Sequence, residues 1–112
     1  MSEFVMTVEH PDAHTIALRL FGEFAGPLVE DYSREFLQHF NGNAKRLVVE
    51  LSKSHYLDSS AVRLLMEGAI VARKSGKEMI IRGVNPSMRR LFEIIKLNEL
   101  CVIEPDPPGR EK

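Results

Sequence analysis

The sequence predicts one α/β domain, built as a mixed, mostly parallel β-sheet with an N-terminal hairpin and about three to four helices packed on it. Apolar runs with the character of strands alternate along the chain with segments of helical periodicity. Residues that start or stop helices separate these segments. The length of 112 residues is sufficient for one hydrophobic core and too short for two. Because a strand–helix–strand unit needs a crossover connection, the alternation indicates parallel pairing after the first hairpin.

The chain opens with two alternating segments, residues 4–7 and 15–21, which predict a hairpin with one buried face and a turn at residues 10–12. Residues 22–26 begin and end with glycine and are expected to end the second strand. Pro27 then suits the first position of a helix, where its missing N–H has no intrahelical partner in any case. The first helix is therefore predicted to begin directly after this break.

The rest of the domain repeats a strand followed by a helix. The predicted elements are a buried strand over residues 47–51, a helix from Ser59 to Lys74, a buried strand over 78–82, a helix that begins at Pro86 after the capping residue Asn85, and a short strand over 101–103. The strand over 47–51 is almost wholly apolar, which predicts that it is central and covered on both faces. The predicted domain spans residues 1–104, and the proline-rich residues 105–112 are predicted to form a mobile tail.

The charge and composition of the chain indicate which classes of partner and which cellular compartment are expected. With a formal net charge of -1 and a pI near 6.4, the chain has no basic field that would attract nucleic acid. No apolar run reaches the length that crosses a bilayer, so membrane insertion is not expected. One cysteine, Cys101, and an N-terminus without the pattern of a secretion signal predict a cytoplasmic protein. The sequence leaves monomer and dimer equally open.

The sequence lacks the motifs that catalysis, cofactors and metals require. The glycine spacings of dinucleotide and P-loop phosphate sites do not occur. The four histidines fall in different predicted elements without a clustered acid, so neither a metal site nor a cofactor site is predicted. Ser59 stands beside Asp58 and Ser60 rather than between the glycines of a nucleophile elbow. The protein is therefore predicted not to be an enzyme.

The remaining feature is the tripeptide Asp58-Ser59-Ser60, where a strand pattern gives way to a helical one. Side-chain oxygens of Asp and Ser cap helices by accepting the backbone N–H groups that the first turn leaves unpaired. The same helix end carries partial positive charge, so a phosphate on one of these hydroxyls would be tolerated. A helix cap and a modification site are both compatible with the tripeptide by itself.

The order and spacing of several motifs resemble the STAS domain family, the fold of bacterial anti-sigma factor antagonists. The likeness covers residues 4–104. It rests on Gly22-Glu23 after the second strand, Leu47-Val48-Val49-Glu50-Leu51, Tyr56-Leu57-Asp58-Ser59-Ser60-Ala61, Gly76-Lys77-Glu78-Met79, and Asn85-Pro86-Ser87-Met88-Arg89-Arg90-Leu91-Phe92. The resemblance implies a STAS-like single domain.

The resemblance also implies a binding module that is controlled by phosphorylation. In that family the serine that matches Ser59 is phosphorylated by a partner serine kinase that is also the anti-sigma factor, and a serine phosphatase reverses the modification. The resemblance therefore assigns Ser59 as the phosphorylation site. It assigns partner binding to the surrounding residues Asp58, Ser60, His55, Tyr56 and Glu23, of which His55 and Tyr56 are expected in a loop before the helix.

Two alternatives remain open. The family often has an aspartate shortly after Gly22-Glu23, where this chain has Ala25, and it usually has glycine after the two serines, where this chain has Ala61. The first departure is the reason to consider a constitutive STAS scaffold subunit of a signalling assembly or of a lipid-transport complex. A nucleotide-binding protein is the other alternative, because some relatives are reported to bind nucleotides.

Overall fold

The computed structural model describes residues 4–104. The prediction of a mobile tail over 105–112 lies outside the described residues. The strands are β1 (Val5–Asp12), β2 (Thr15–Phe24), β3 (Arg46–Leu57), β4 (Glu78–Arg82) and β5 (Val102–Ile103), and the helices are α1 (Pro27–Phe40), α2 (Ser59–Lys74), α3 (Pro86–Ile94) and a 3₁₀ turn at Leu97–Glu99.

The five strands form one mixed sheet in the order β1-β2-β3-β4-β5. β1 pairs antiparallel with β2, and all later neighbours pair in parallel. Right-handed crossovers between successive neighbouring strands place the connecting helices on the same side of the sheet. A single core lies there, formed by buried residues of all three helices and of one sheet face. The predicted α/β fold with its N-terminal hairpin is confirmed.

The strand over 47–51 is central, and its apolar side chains on both faces are buried, although the helices cover only one of the two faces. Val48 points away from the three helices and lies outside the main core, yet its side chain is only 4% exposed. Its neighbours in register, Ala17 and Ile80, pack beside it. Glu50 and Arg82 form the next register pair on this face, and side chains of this length have apolar stems. The apolar run therefore reflects shelter by neighbouring strands and not a second helical layer.

The hairpin turn was predicted two residues too early. β1 continues through Pro11 to Asp12, and the turn occupies residues 13–14. Proline is acceptable there because β1 is an edge strand. The carboxylate of Asp12 accepts hydrogen bonds from the His14 N–H at 2.8 Å and from the Thr15 hydroxyl at 3.1 Å, which lower the pKa of Asp12. Asp12 thus fixes the turn as an Asx-type capping residue.

Both central strands run further than predicted. β2 continues through residues 22–23 to Phe24, and β3 continues to Leu57 instead of ending at residue 51. The extension is held by parallel pairing between the two strands, with register shifts on either side of residues 21–22, and by the Ser54 hydroxyl donating to the Gly22 carbonyl at 2.9 Å. His55 and Tyr56, which were predicted in a loop, therefore belong to a strand.

Gly68 allows α2 to lie close against α1. A Cβ atom at this position would stand 2.9 Å from a ring carbon of Phe40 and 3.2 Å from one of Phe36, and both rings are fully buried. We expect Gly68→Ala to lower the free energy of unfolding by about 1 kcal/mol, because overpacking outweighs the gain in helix propensity. Urea denaturation measures the difference. Gly42→Ala is the matched control, since that Cβ has no contact closer than 3.9 Å; equal stability of the two variants would contradict the prediction.

Candidate functional site

The starts of two helices meet at the carboxyl ends of β2 and β3. Phe24 and Leu57 are partners in register at these strand ends, and the Asp58 N–H donates to the Phe24 carbonyl at 3.3 Å. The chain then enters α1 through its N-cap Gly26 and α2 through its N-cap Asp58. We call Gly26 together with residues 58–60 the capping corner. Because parallel strands carry their carboxyl ends to the same edge, the two helix starts necessarily become neighbours.

The carboxylate of Asp58 ties the capping corner together. Its Oδ1 atom accepts hydrogen bonds from the Ala61 N–H at 3.0 Å and from the Ser60 hydroxyl at 2.7 Å. Its Oδ2 atom accepts a hydrogen bond from the Gly26 N–H at 2.8 Å. The cap on α2 was predicted from the sequence, whereas the bond to the start of α1 was missed. One side chain thus supports the first turn of α2 and fixes α1 relative to it.

The same contacts stabilise the ionised form of Asp58. The hydrogen bond from the Ser60 hydroxyl is the main cause and the Gly26 N–H is the next, and together they lower the pKa of Asp58 below its ordinary value. A carboxyl whose pKa is depressed by folding contributes stability above its unfolded pKa and loses that contribution as the pH falls through its folded pKa.

We therefore expect acid to weaken the capping corner. As the pH falls below about 4, the urea midpoint of the wild type should decrease more steeply than that of Asp58→Asn, which cannot be protonated at this position. The lowered pKa of Asp12 adds a slope of the same sign in both proteins, so the difference between the two curves isolates Asp58. Parallel curves would show that ionised Asp58 does not stabilise the fold.

The two serines of the capping corner differ in their contacts. The Ser60 hydroxyl donates to Asp58, as described above. Ser59 is the first residue of α2 and is exposed, and its hydroxyl forms no hydrogen bond with any other residue between 4 and 104. The hydroxyl of Ser59 is therefore available for chemistry, while that of Ser60 already has a structural partner.

This difference predicts that the fold tolerates a negative charge at position 59 better than at position 60. Ser60→Asp should lower the free energy of unfolding by about 1–2 kcal/mol, because it removes a hydrogen bond to Asp58 and sets two carboxylates side by side. Ser59→Asp should change it by less than about 0.5 kcal/mol, since an acidic residue is favourable at the start of a helix. Chemical denaturation of the two variants gives both values. An equal loss in both would contradict the assignment of distinct roles.

The other predicted partner-binding residues lie on the strands that lead into the capping corner. Glu23 and Tyr56 are partners in register, and both are exposed, with Tyr56 at 52%. Their neighbours Phe24 and Leu57 pack towards the core, so strand alternation directs Glu23 and Tyr56 to the sheet face without helices. His55 lies between Ser54 and Tyr56, which both pair with residues of β2, and it is also exposed. All the predicted site residues therefore surround one end of the sheet.

A shallow groove of about 320 Å³ runs from the capping corner between α1 and α2. It is lined by Gly26, Val29, Glu30, Ser33, Ser60, Arg63, Leu64 and Glu67.

Within residues 4–104, no three His, Cys, Asp or Glu side chains are grouped so that they could hold a metal ion. Nor does this part of the chain contain a helix that combines the length and the apolar composition needed to span a membrane.

The chain belongs to the STAS domain family, because the family model described as "Mlab, STAS domain" matches residues 6–104. None of the curated proteins matches the sequence significantly.

Several solved structures have a similar fold. An anti-sigma factor antagonist from Mycobacterium paratuberculosis has a TM-score of 0.79 at 16% identity, over 93% of this chain and 87% of the other. The Bacillus cell fate determinant SpoIIAA in its phosphorylated form has a TM-score of 0.73 at 20% identity, over 91% and 93%. A sulfate transporter family protein from Wolinella succinogenes has a TM-score of 0.67 at 15% identity, over 81% and 74%. At these identities the likeness establishes the STAS fold.

Proposed function

We propose that this STAS domain is a non-enzymatic protein-binding module of the anti-sigma factor antagonist kind. A partner anti-sigma factor serine kinase binds the surface formed by Asp58, Ser60, His55, Tyr56 and Glu23 and phosphorylates Ser59, and a serine phosphatase resets the module. The observation that carries the proposal is the exposed Ser59 hydroxyl, which has no hydrogen bond to another described residue although its neighbour Ser60 is bonded to Asp58. The likeness to a phosphorylated SpoIIAA structure supports the same proposal.

The proposed reaction is a phosphoryl transfer in which this chain is the substrate. A bond forms between Ser59 Oγ and the γ-phosphorus of ATP, and the bond from that phosphorus to the oxygen shared with the β-phosphate breaks. ADP leaves, and the hydroxyl proton passes to a base of the kinase. In the reset step water displaces Ser59 Oγ from phosphorus, which returns the serine and gives inorganic phosphate.

The capping corner supports a switch that changes binding without unfolding the domain. A phosphoserine carries about -1.5 to -2 charges at neutral pH, and the start of α2 offsets part of the local repulsion. The hydrogen bonds of Asp58 to Ala61 and Gly26 do not involve Ser59, so they persist when Ser59 is modified. At an interface, by contrast, the new charge lies beside the ionised Asp58 and must lose water.

The test is to incubate the purified chain with ATP and the anti-sigma kinases encoded near its gene, and to map phosphate by mass spectrometry. We expect one phosphate on Ser59 in the wild type and in Ser60→Ala, and none in Ser59→Ala. Ser60→Ala removes the adjacent hydroxyl and so shows which of the two serines is modified; its labelling should be slower, because Ser60 also belongs to the proposed kinase-binding surface. Phosphate on another residue, together with unchanged kinase binding by Ser59→Ala, would contradict the proposal.

A second function is favoured by the description of the matching family model, which names Mlab, and by Ala25 at a position where the antagonist pattern often has aspartate. In this alternative the domain is a constitutive scaffold subunit of a signalling assembly or a lipid-transport complex, and Ser59 is not switched. Capture of partners by the untagged chain in its own cells separates the two functions. Recovery of transport or signalling-assembly proteins, without a kinase and equally with Ser59→Ala, would favour the scaffold.

A further inference from the structure

An exposed stripe on α2 begins at the capping corner. Ser59, Arg63 and Glu67 are exposed at intervals of four residues, while Ala61, Leu64 and Leu65 between them are buried. At about 100° per residue, the direction of Arg63 around the helix axis falls between those of Ser59, about 40° away, and Ser60, about 60° away. Arg63 therefore occupies the next turn directly behind both hydroxyls.

The Arg63 side chain extends towards the first turn of the helix. Cα–Cβ bonds in a helix tilt towards its N-terminus, so a long side chain lies over the turn that precedes it. For Arg63 that turn contains Ser59 and Ser60. Consistent with this direction, Arg63 lines the same groove as Ser60 and Gly26. Its guanidinium can thus approach the Ser59 oxygen without a change in the backbone.

The guanidinium of Arg63 has no bonding partner among the described residues. Within residues 4–104 it has no hydrogen bond and no ion pair, although Glu67 follows it by one turn. Other arginines of the chain do have partners: Arg46 pairs with Glu78 at 3.0 Å, and Arg82 pairs with Glu104 at 2.8 Å. A planar, permanently charged fork of N–H donors suits the oxygens of a phosphate monoester.

We propose that Arg63 binds the phosphate on Ser59 within the same chain, as a positioning residue that holds the phosphoserine against α2. This inference rests on the proposed phosphorylation of Ser59 and adds the group that receives the phosphate. The pair holds the phosphate at the mouth of the groove between α1 and α2. Because the guanidinium favours the dianion, the phosphoserine keeps its full charge to lower pH than a free phosphoserine would.

The test uses phosphoserine installed at position 59 by genetic encoding, so it needs no kinase. The phosphorus resonance of the full chain is followed by NMR from pH 4 to pH 8, and its midpoint gives the second pKa of the phosphate, ordinarily about 6. We expect Arg63→Gln to raise this midpoint by about half a pH unit relative to the chain with Arg63, the size typical of one exposed ion pair. Ser59 and Arg63 are both exposed, so the chain with phosphoserine at position 59 and Arg63→Gln should fold normally.

Lys74→Gln is the matched control, because it removes one positive charge from the same helix at a position about 22 Å from Ser59 along the helix axis. Its midpoint should equal that of the chain without the substitution. Identical midpoints with and without Arg63, or an equal shift in Lys74→Gln, would overturn the inference. Failure of this test leaves the proposed function standing, whereas absence of Ser59 labelling by the kinases would leave this titration result unaffected.

Discussion

Replacing Asp58 by alanine is expected to lower the free energy of unfolding by about 2–3 kcal/mol, because the N-cap of α2 and a charge-assisted hydrogen bond are lost together. The Ala61 N–H and the Gly26 N–H both lose their acceptor, and the Ser60 hydroxyl loses its partner. The starts of α1 and α2 are then no longer tied to each other. Urea denaturation followed by circular dichroism measures the change.

Asp31→Ala is the matched control, since Asp31 is an exposed aspartate of α1 without a hydrogen bond or ion pair to another residue between 4 and 104. It should change the stability by less than about 0.5 kcal/mol. Asp58→Asn should fall between the two, because an amide oxygen can still accept from Ala61 while the amide nitrogen cannot accept from Gly26. If the two alanine variants are equally stable, Asp58 does not tie the helices together.

Elements with strong local signals could be predicted from the sequence. α2 was predicted from Ser59 to Lys74 and has those bounds, because a capping aspartate, an apolar stripe and a terminal Ser75-Gly76 agree along one segment. Gly76 has a φ of 71°, the left-handed conformation expected after a helix. The start of α1 at Pro27 follows from the same kind of signal. In these segments the interactions that decide the structure lie within one or two helical turns.

Features that depend on distant pairing could not be predicted in this way. Residues 52–56 of β3 are largely polar, and they are a strand because β2 offers them a partner more than thirty positions away. The hydrogen bond between Gly26 and Asp58 likewise joins residues 32 positions apart. A capping aspartate has the same local pattern whether or not a second helix start lies beside it. The sequence therefore predicts which residues form the candidate site but not the contacts that hold them.

The burial of Val48 is another feature whose cause could not be predicted from the sequence. An apolar strand has one pattern whether its second face meets helices or a row of neighbouring side chains. Here the strand order places the three crossovers on one side, so on the other face Val48 lies between its register neighbours Ala17 and Ile80. This face leads to Glu23 and Tyr56, which leaves them exposed beside the capping corner. The open face thus contributes to the candidate binding surface.

Under the proposed function, a phosphate on Ser59 is expected to weaken binding of the kinase at least a hundredfold, which corresponds to about 2.7 kcal/mol. The phosphate would enter the interface beside the ionised Asp58, where its repulsion and lost hydration are worth several kcal/mol. The fold itself should keep its stability to within about 1 kcal/mol, because the hydrogen bonds of Asp58 do not involve Ser59. Calorimetric titration of the kinase, without ATP, into chains with serine or encoded phosphoserine at position 59 measures the ratio of affinities.

Phosphoserine at Ser75 provides the matched control, because it places the same charge at the other end of α2, about 24 Å from Ser59 along the helix axis. It should leave the affinity within about threefold, since surface charges at that separation are screened at physiological ionic strength. A comparable loss with both modified chains would mean that net charge and not the capping corner controls binding. Unchanged affinity with phosphoserine at position 59 would instead leave this corner recognised but not switched, as the scaffold function requires.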